Sequence, residues 1–299
     1  KATYNGRVEK DDCKYASFGT SGLVIGGGTE KDRKGRSSSS AFALAINRSA
    51  NVGSNLLYRG VNNQSSYSHK FLEEINGVRD ANAVANNYPF GSSLAFNTYW
   101  IDTIAGGSSG NYQFQTRAPF ATGLIQENVI ESRGGVTELA LAFANATNDK
   151  WFWGFTLGVP FLHYDRTSTF TEADATTDAT NKFDYAVYTQ NLETKGSGIN
   201  LKMGVIYKPV EYVRLGLAFH TPSFYRLNDQ YSASVTTNTE SYQGTMSQAS
   251  SLLNNGVDGQ FSYWMFTPYR LMASASYVLR EIEDVRKQKG FLTADIEYV

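Results

Sequence analysis

The chain has 299 residues, 27 Lys plus Arg against 28 Asp plus Glu, a net charge of -1 and an aromatic content of 14%. That balance leaves no basic footprint for nucleic acid, and the single Cys13 excludes an internal disulfide framework and a cysteine-based zinc cluster. No run approaches the roughly 18 apolar residues of a spanning helix, and Lys1 is followed by polar residues, as in an exported protein whose signal has been removed or in a fragment.

Residues 1–14 are polar and read as loop. Tyr15 to Gly27 reads as a first strand, weakened by Gly19, Gly22, Gly26 and Gly27. The Gly- and Ser-rich run from Gly28 to Ser40, with Lys31, Arg33, Lys34 and Arg36, reads as a connection. Phe42, Leu44 and Ile46 alternate with Ala43, Ala45 and Asn47, and this strand continues toward Tyr58. From Val61 to about Gly123 the alternation stops. Phe71, Leu72 and Ile75 fall on one side of a short helix after Ser68, and Leu94, Phe96, Tyr99, Trp100 and Ile101 suggest a second helix opened by Ser92 or Ser93.

Strands return with Leu139, Leu141 and Phe143, then a turn at Thr147-Asn148-Asp149-Lys150. Trp151, Trp153, Phe155, Leu157, Val159 and Phe161 place bulky apolar side chains on one face of the next strand. A polar loop at 173–183 leads into a strand over 184–207. Ile199, Leu201, Met203, Val205 and Tyr207, then Val213, Leu215, Leu217 and Phe219, form the two apolar faces of a hairpin turning at 208–212. After Pro222 the strand turns polar, through Tyr231 to Thr237, and a Ser-, Gln- and Asn-rich loop covers 238–256. Leu271, Ala273, Ala275, Tyr277 and Leu279 mark a further strand. After a modest link at 281–289, Leu292, Ala294, Ile296 and Tyr298 mark the last.

The pattern predicts eight long strands. The links at 147–150 and 208–212 are tight, whereas those at 61–123, 173–183 and 238–256 are long, as in a transmembrane antiparallel β-barrel with short turns at one end. Trp151, Trp153, Tyr207, Tyr212 and Tyr277 cluster near the tight turns. About ten residues further lie Phe161, Tyr164, Phe219, Phe224, Tyr263, Trp264 and Phe266. At ~3.3 Å per residue and a tilt near ~40°, ten residues climb roughly 25 Å, the height of a barrel's apolar band.

Pro160, Pro222 and Pro268 share the inward parity, and each predicts a bulge or break in pairing. The repeated Thr221-Pro222 and Thr267-Pro268 fit either a change of strand twist or a gap in the wall through which an apolar ligand moves sideways. Of the three histidines, His69 falls in the insertion and His163 and His220 on strands, and no nucleophile elbow accompanies them. Gly26-Gly27-Gly28 lacks the Lys and helix of a phosphate loop and reads as a strand end. Glu138, Lys202, Arg214, Asp295 and Glu297 read as charges lining a wet lumen, with a catalytic Asp295–Glu297 pair as the alternative. No cofactor and no enzymatic activity are expected. The insertion 61–123 carries Phe71, Leu72, Pro89, Phe90, Leu94, Phe96, Tyr99 and Trp100 in otherwise polar surroundings. These side chains either pack on one another as a lid or line a greasy pocket at the barrel mouth, and Phe71, Leu72, Phe90, Leu94, Phe96, Tyr99 and Trp100 are the candidate ligand-binding residues.

Several stretches resemble the FadL-type outer-membrane transporters for long-chain fatty acids and aromatic hydrocarbons, in the form found in Bacteroidetes-like bacteria. They are Tyr58 to Ser66, Leu94 to Ile101, Glu131 to Gly135, Gly198 to Pro209, Leu215 to Phe224 with its Phe219-His220-Thr221-Pro222, and Asp295 to Tyr298. The resemblance implies a monomeric fourteen-stranded barrel in the outer membrane of a Gram-negative cell, contacting lipid or detergent. In that family a hydrophobic small molecule such as a fatty acid is captured at extracellular loops and released through a gap in the wall. The family's N-terminal hatch has no counterpart before Lys1 and its last strands none after Val299, so the sequence reads as an internal portion of a longer protein. An accessory barrel for protein secretion or assembly, binding a protein partner, is the alternative function, and an outer-membrane hydrolase a third.

Overall fold

A computed structural model describes residues 2–4, 7–9, 19–29, 37–104, 110–176, 178–279 and 290–299. Cys13, the start of the strand expected from Tyr15, the basic residues of the 28–40 connection and the link at 281–289 lie outside the described residues. In chain order the elements are β1 (Ala2–Tyr4), β2 (Arg7–Glu9), β3 (Ser21–Thr29), β4 (Ser38–Asn51), β5 (Ser54–Asn62), α1 (Ser68–Glu74), α2 (Ala81–Asn87), α3 (Ser92–Asn97), β6 (Ile101–Thr103) and β7 (Phe114–Thr116). Then follow β8 (Leu124–Thr147), β9 (Trp151–Asp174), β10 (Tyr185–Val210), β11 (Val213–His220), β12 (Phe224–Asn238), β13 (Thr245–Ala249), α4 (Ser250–Leu253), β14 (Gly259–Phe266), β15 (Arg270–Leu279) and β16 (Gly290–Tyr298).

One antiparallel sheet organises the chain. Two of its tracks are interrupted once and one twice: β4 and β5 both pair with β8, β11 and β12 both pair with β10, and β13 and β14 pair with β12 while β15 pairs with β11. The order across the sheet is therefore β3, β4/β5, β8, β9, β10, β11/β12, β13/β14/β15, β16. Among the described residues no ladder joins β3 to β16, so the sheet is open, with those two strands as its edges. It is nonetheless curled, because all eight tracks line one trough of about 1190 Å³.

Register gathers most large apolar residues of the lower half on one face, with Phe152, Ile206, Val24 and Met272 on the other. Ile25, Phe42, Phe143, Phe155, Met203, Phe219, Leu271 and Tyr298 are cross-strand neighbours in sequence along one row. Leu23, Leu44, Leu141, Leu157 and Leu201 form a row beside it. Because side chains alternate with period two, a slip of one residue would turn the whole belt inward. Among the described residues nothing covers the belt: Leu217 is 51% and Ile296 74% exposed. The opposite, concave face carries small residues at the same height, with Gly26, Ala41, Ala144, Gly154, Gly204 and Ala218 in one row.

Several expectations are corrected. Residues 1–14 contain the hairpin β1–β2, which lies against β5, where loop was expected. The insertion holds three helices and the short hairpin β6–β7 instead of two helices. Its α3 ends at Asn97, because Tyr99 takes a left-handed φ of 60° and turns the chain into β6. The cap of α3 is Gly91, with Ser92 already helical. The 238–256 loop contains β13 and α4. Strand β8 begins at Leu124, well before the apolar alternation at Leu139.

Candidate functional site

Above the belt, the concave face of β9, β10 and β12 is covered by the insertion. Phe71, Ile75, Val84, Leu94, Ala95, Trp100 and Ile101 from the insertion share one buried core with Ala186, Tyr188, Ala233 and Val235 from the strands. The insertion is thus a lid packed into the mouth of the curled sheet. Aromatic rings pair across this core. Tyr67 stacks on Phe170 with centroids 4.4 Å apart, and Phe71 meets Trp100 and Tyr188 edge-on at 5.4 Å. Such pairs contribute about 0.5–1.5 kcal/mol each beyond the area they bury.

Four polar anchors fix the lid's position. The first is Glu172 of β9, fully buried. Its carboxylate accepts from Ser66 Oγ, from Tyr67 N at 3.0 Å, from Trp100 Nε1 at 2.7 Å and from Gln126 Nε2 at 3.0 Å. Among the described residues no Lys or Arg pairs with it, and these four donors fill its hydrogen-bonding positions. The second is Tyr188, whose hydroxyl donates to Phe90 O at 2.7 Å; burial pushes its phenol far above the ordinary tyrosine range, keeping it a donor. The third is Thr237 Oγ1, which donates to Thr98 O. The fourth joins Arg117 to Asp102, with the Arg117 guanidinium 3.6 Å above the Tyr242 ring and Tyr242 OH donating to Asp102 Oδ2 at 3.2 Å.

The seven candidate ligand residues are distributed unevenly over this lid. Phe71, Leu94 and Trp100 are wholly buried in its core. Leu72, Phe90 and Phe96 pack against the core from its edge, Phe90 on Tyr231 and Phe96 edge-on to Phe114 at 5.7 Å. Tyr99 stands edge-on to Tyr242 at 5.5 Å. Sequence reasoning missed the groups that hold them, Glu172, Tyr188 and Thr237. The signal available was their shared inward parity with Phe170, Tyr231 and Val235.

Below the lid lies the trough, lined by the glycine and alanine rows and by Ser274, Asp295 and Glu297. At its upper end Glu138 of β8 reaches across β9 to Lys202 and Asn200 of β10, with Asn200 Nδ2 donating to Glu138 Oε2 at 2.9 Å. This bridge needs Gly158 beneath it, since a Cβ there would overlap Asn200 Oδ1 and lie 2.9 Å from Glu138 Cδ. Lys202, His220 and Arg270 are cross-strand neighbours on this face, and Arg270 lies 3.4 Å from Glu297. Asp295 sits opposite Ser274. His69 Nδ1 accepts from Ser66 N at 3.2 Å, and His163 Nε2 lies 2.7 Å from Asp165 on the outer face above the belt.

The three prolines coincide with irregular pairing. Pro222 and Pro268 lie in the breaks between β11 and β12 and between β14 and β15. At Pro160 the ladder from β9 to β10 skips from Ser197↔Phe161 to Asn200↔Gly158. Thr221 and Thr267 lie in these breaks, where their hydroxyls accept from Leu201 N and Ser223 N. Comparison with protein-family models, with curated proteins and with solved structures finds no match.

Proposed function

We propose that this chain is an outer-membrane β-barrel transporter that passively takes up hydrophobic small molecules, long-chain fatty acids or aromatic hydrocarbons, in the manner of the FadL-type proteins it resembles. The observation that carries this reading is the uncovered apolar belt, continuous across all eight tracks on one face. Burying a Leu, Met or Phe side chain is worth about 1.5–3 kcal/mol, so water against the whole belt forfeits tens of kcal/mol. Acyl chains restore that energy. An antiparallel sheet satisfies its backbone between strands, as a bilayer core demands, provided that β3 and β16 are themselves paired in the membrane. The opposite face, with its glycine, alanine and charged rows, suits a lumen. Ligand is captured at the lid, held in the trough below and released sideways.

Uptake tests this directly. In proteoliposomes the protein is expected to move a fluorescent fatty acid across the bilayer faster than protein-free vesicles do. Phe96→Ala, at the edge of the lid core, is expected to weaken fatty-acid binding up to about tenfold, the loss of roughly 1.4 kcal/mol of ring contact. Uptake equal to that of empty vesicles contradicts the transport reading. Unaltered binding by folded Phe96→Ala removes the lid edge from the capture site.

A further inference from the structure

Apart from the register shift at Tyr207/Val210 beside the β10–β11 turn, the irregularities of the sheet fall on one line. Across β4/β5 there is a bulge between Arg48 and Ala50, then the break before Ser54. Opposite it on β8, Gly134 and Gly135 take φ values of 113° and 151°. The line continues through Pro160 and the two-residue skip against β10, then through Thr221–Ser223, and ends at Thr267–Tyr269. Everything below the line is the belt and trough. Everything above it carries the lid.

Along this line side-chain oxygens stand in for missing backbone partners. Proline offers no N–H, so a bond is missing from the exchange between strands at each of these points, although Thr221 N still donates to Leu201 O at 2.9 Å and Thr267 N to Ser223 O at 3.2 Å. Leu201 N donates instead to Thr221 Oγ1 at 3.0 Å, and Ser223 N to Thr267 Oγ1 at 2.8 Å. Asn200 Nδ2 bridges to Ser223 Oγ at 3.1 Å as well as to Glu138, tying β8 to the break before β12. Arg48 closes the other side, donating to Thr137 Oγ1 at 3.0 Å and to Gly134 O at 2.6 Å. The closure is incomplete: among the described residues the buried Asn200 Oδ1 accepts no hydrogen bond, an arrangement costing about 1–3 kcal/mol. The β8–β9 ladder alone runs unbroken through this height, whereas the pairings of β4/β5, β9 with β10, β11/β12 and β14/β15 are all interrupted here.

We infer that this line is a flexure on which the lid-bearing half of the sheet swings against the belt-bearing half. The Thr221 and Thr267 hydroxyls and the Glu138–Asn200–Lys202 bridge are the catches that hold the straight form. Bending releases the two threonine bonds and frees Asn200 Oδ1 to take a partner, while the ladders on either side stay intact. The motion changes the angle between lid and trough. It goes beyond the transport reading and stands on strand geometry whether or not the belt meets lipid.

Spin labels at Asn191 and Val210, exposed positions on β10 above and below the line, read the bend by pulsed dipolar spectroscopy on the full chain in detergent or bilayer. The flexure predicts a second, shorter distance beside the main one. In Thr221→Val/Thr267→Val, which keeps shape but removes both acceptors, the share of the shorter distance rises about tenfold, and so does hydrogen exchange at Leu201 N and Ser223 N, with Met203 and Leu227 amides unchanged. A single narrow distance in the wild-type protein overturns the inference, independently of how the variant folds. So does a variant whose exchange rises uniformly over both halves.

Discussion

Glu172→Ala is expected to release the lid. It leaves Trp100 Nε1, Ser66 Oγ, Tyr67 N and Gln126 Nε2 facing a cavity where a carboxylate had accepted all four. A buried donor stripped of its partner costs about 1–3 kcal/mol, so even with partial relaxation the loss is on the order of 3–5 kcal/mol. Glu172→Gln keeps the volume but replaces one acceptor oxygen with a donor among donors, so it recovers less than half of that loss. The effect is local. Hydrogen exchange and protease cleavage within residues 63–123 rise by two orders of magnitude or more, while the β9–β10 ladder in the lower half keeps its protection. Wild-type protection of the lid in Glu172→Ala would mean that the aromatic core alone holds it.

Leu217→Arg is expected to be the most damaging substitution in the belt, and its neighbour Ala218→Lys among the mildest. Leu217 sits mid-belt opposite Val205 and Ala273 on the uncovered face, whereas Ala218 lies beside it on the trough side. A guanidinium at the bilayer midplane of a barrel costs about 2–4 kcal/mol, and the same charge facing a wet lumen costs little. Urea titration of the protein folded into vesicles measures both. The claim is the contrast: two adjacent residues, one charge each, and a difference of at least ~2 kcal/mol that vanishes if neither face meets lipid.

The parts of this fold legible in the sequence were those where one physical rule acts locally. Trp151 to Phe161 and Ile199 to Tyr207 alternate cleanly because one face of each strand is apolar and the other is not. The upper halves of β8, β9 and β10 hide that rhythm. There the outer face carries Arg133, Asp165 and Glu193, while the inner face mixes Gln126, Glu172 and Tyr188 with apolar residues under the lid. Helix α2 escaped notice because only Val84 of its Asn-rich sequence is buried, leaving no stripe to read. The aromatic cluster of the insertion was visible as composition. What it packs against was not, since Glu172 reaches Trp100 across 72 residues and Thr237 reaches Thr98 across 139. Such pairings follow from register over the whole sheet, which no short window carries. The prolines announced their breaks, but the threonine hydroxyls that bridge them became visible only once neighbouring strands were placed side by side.

The depth of two tryptophans tests the central claim most directly. Trp153 stands on the uncovered face of β9, 45% exposed, whereas Trp100 is sealed inside the lid. In vesicles containing lipids brominated along the acyl chain, a variant retaining Trp153 as its only tryptophan should lose most of its fluorescence, and one retaining only Trp100 should keep it. Equal emission of the Trp153 variant in brominated and ordinary lipid would show that the belt never meets acyl chains, and would contradict the transporter account.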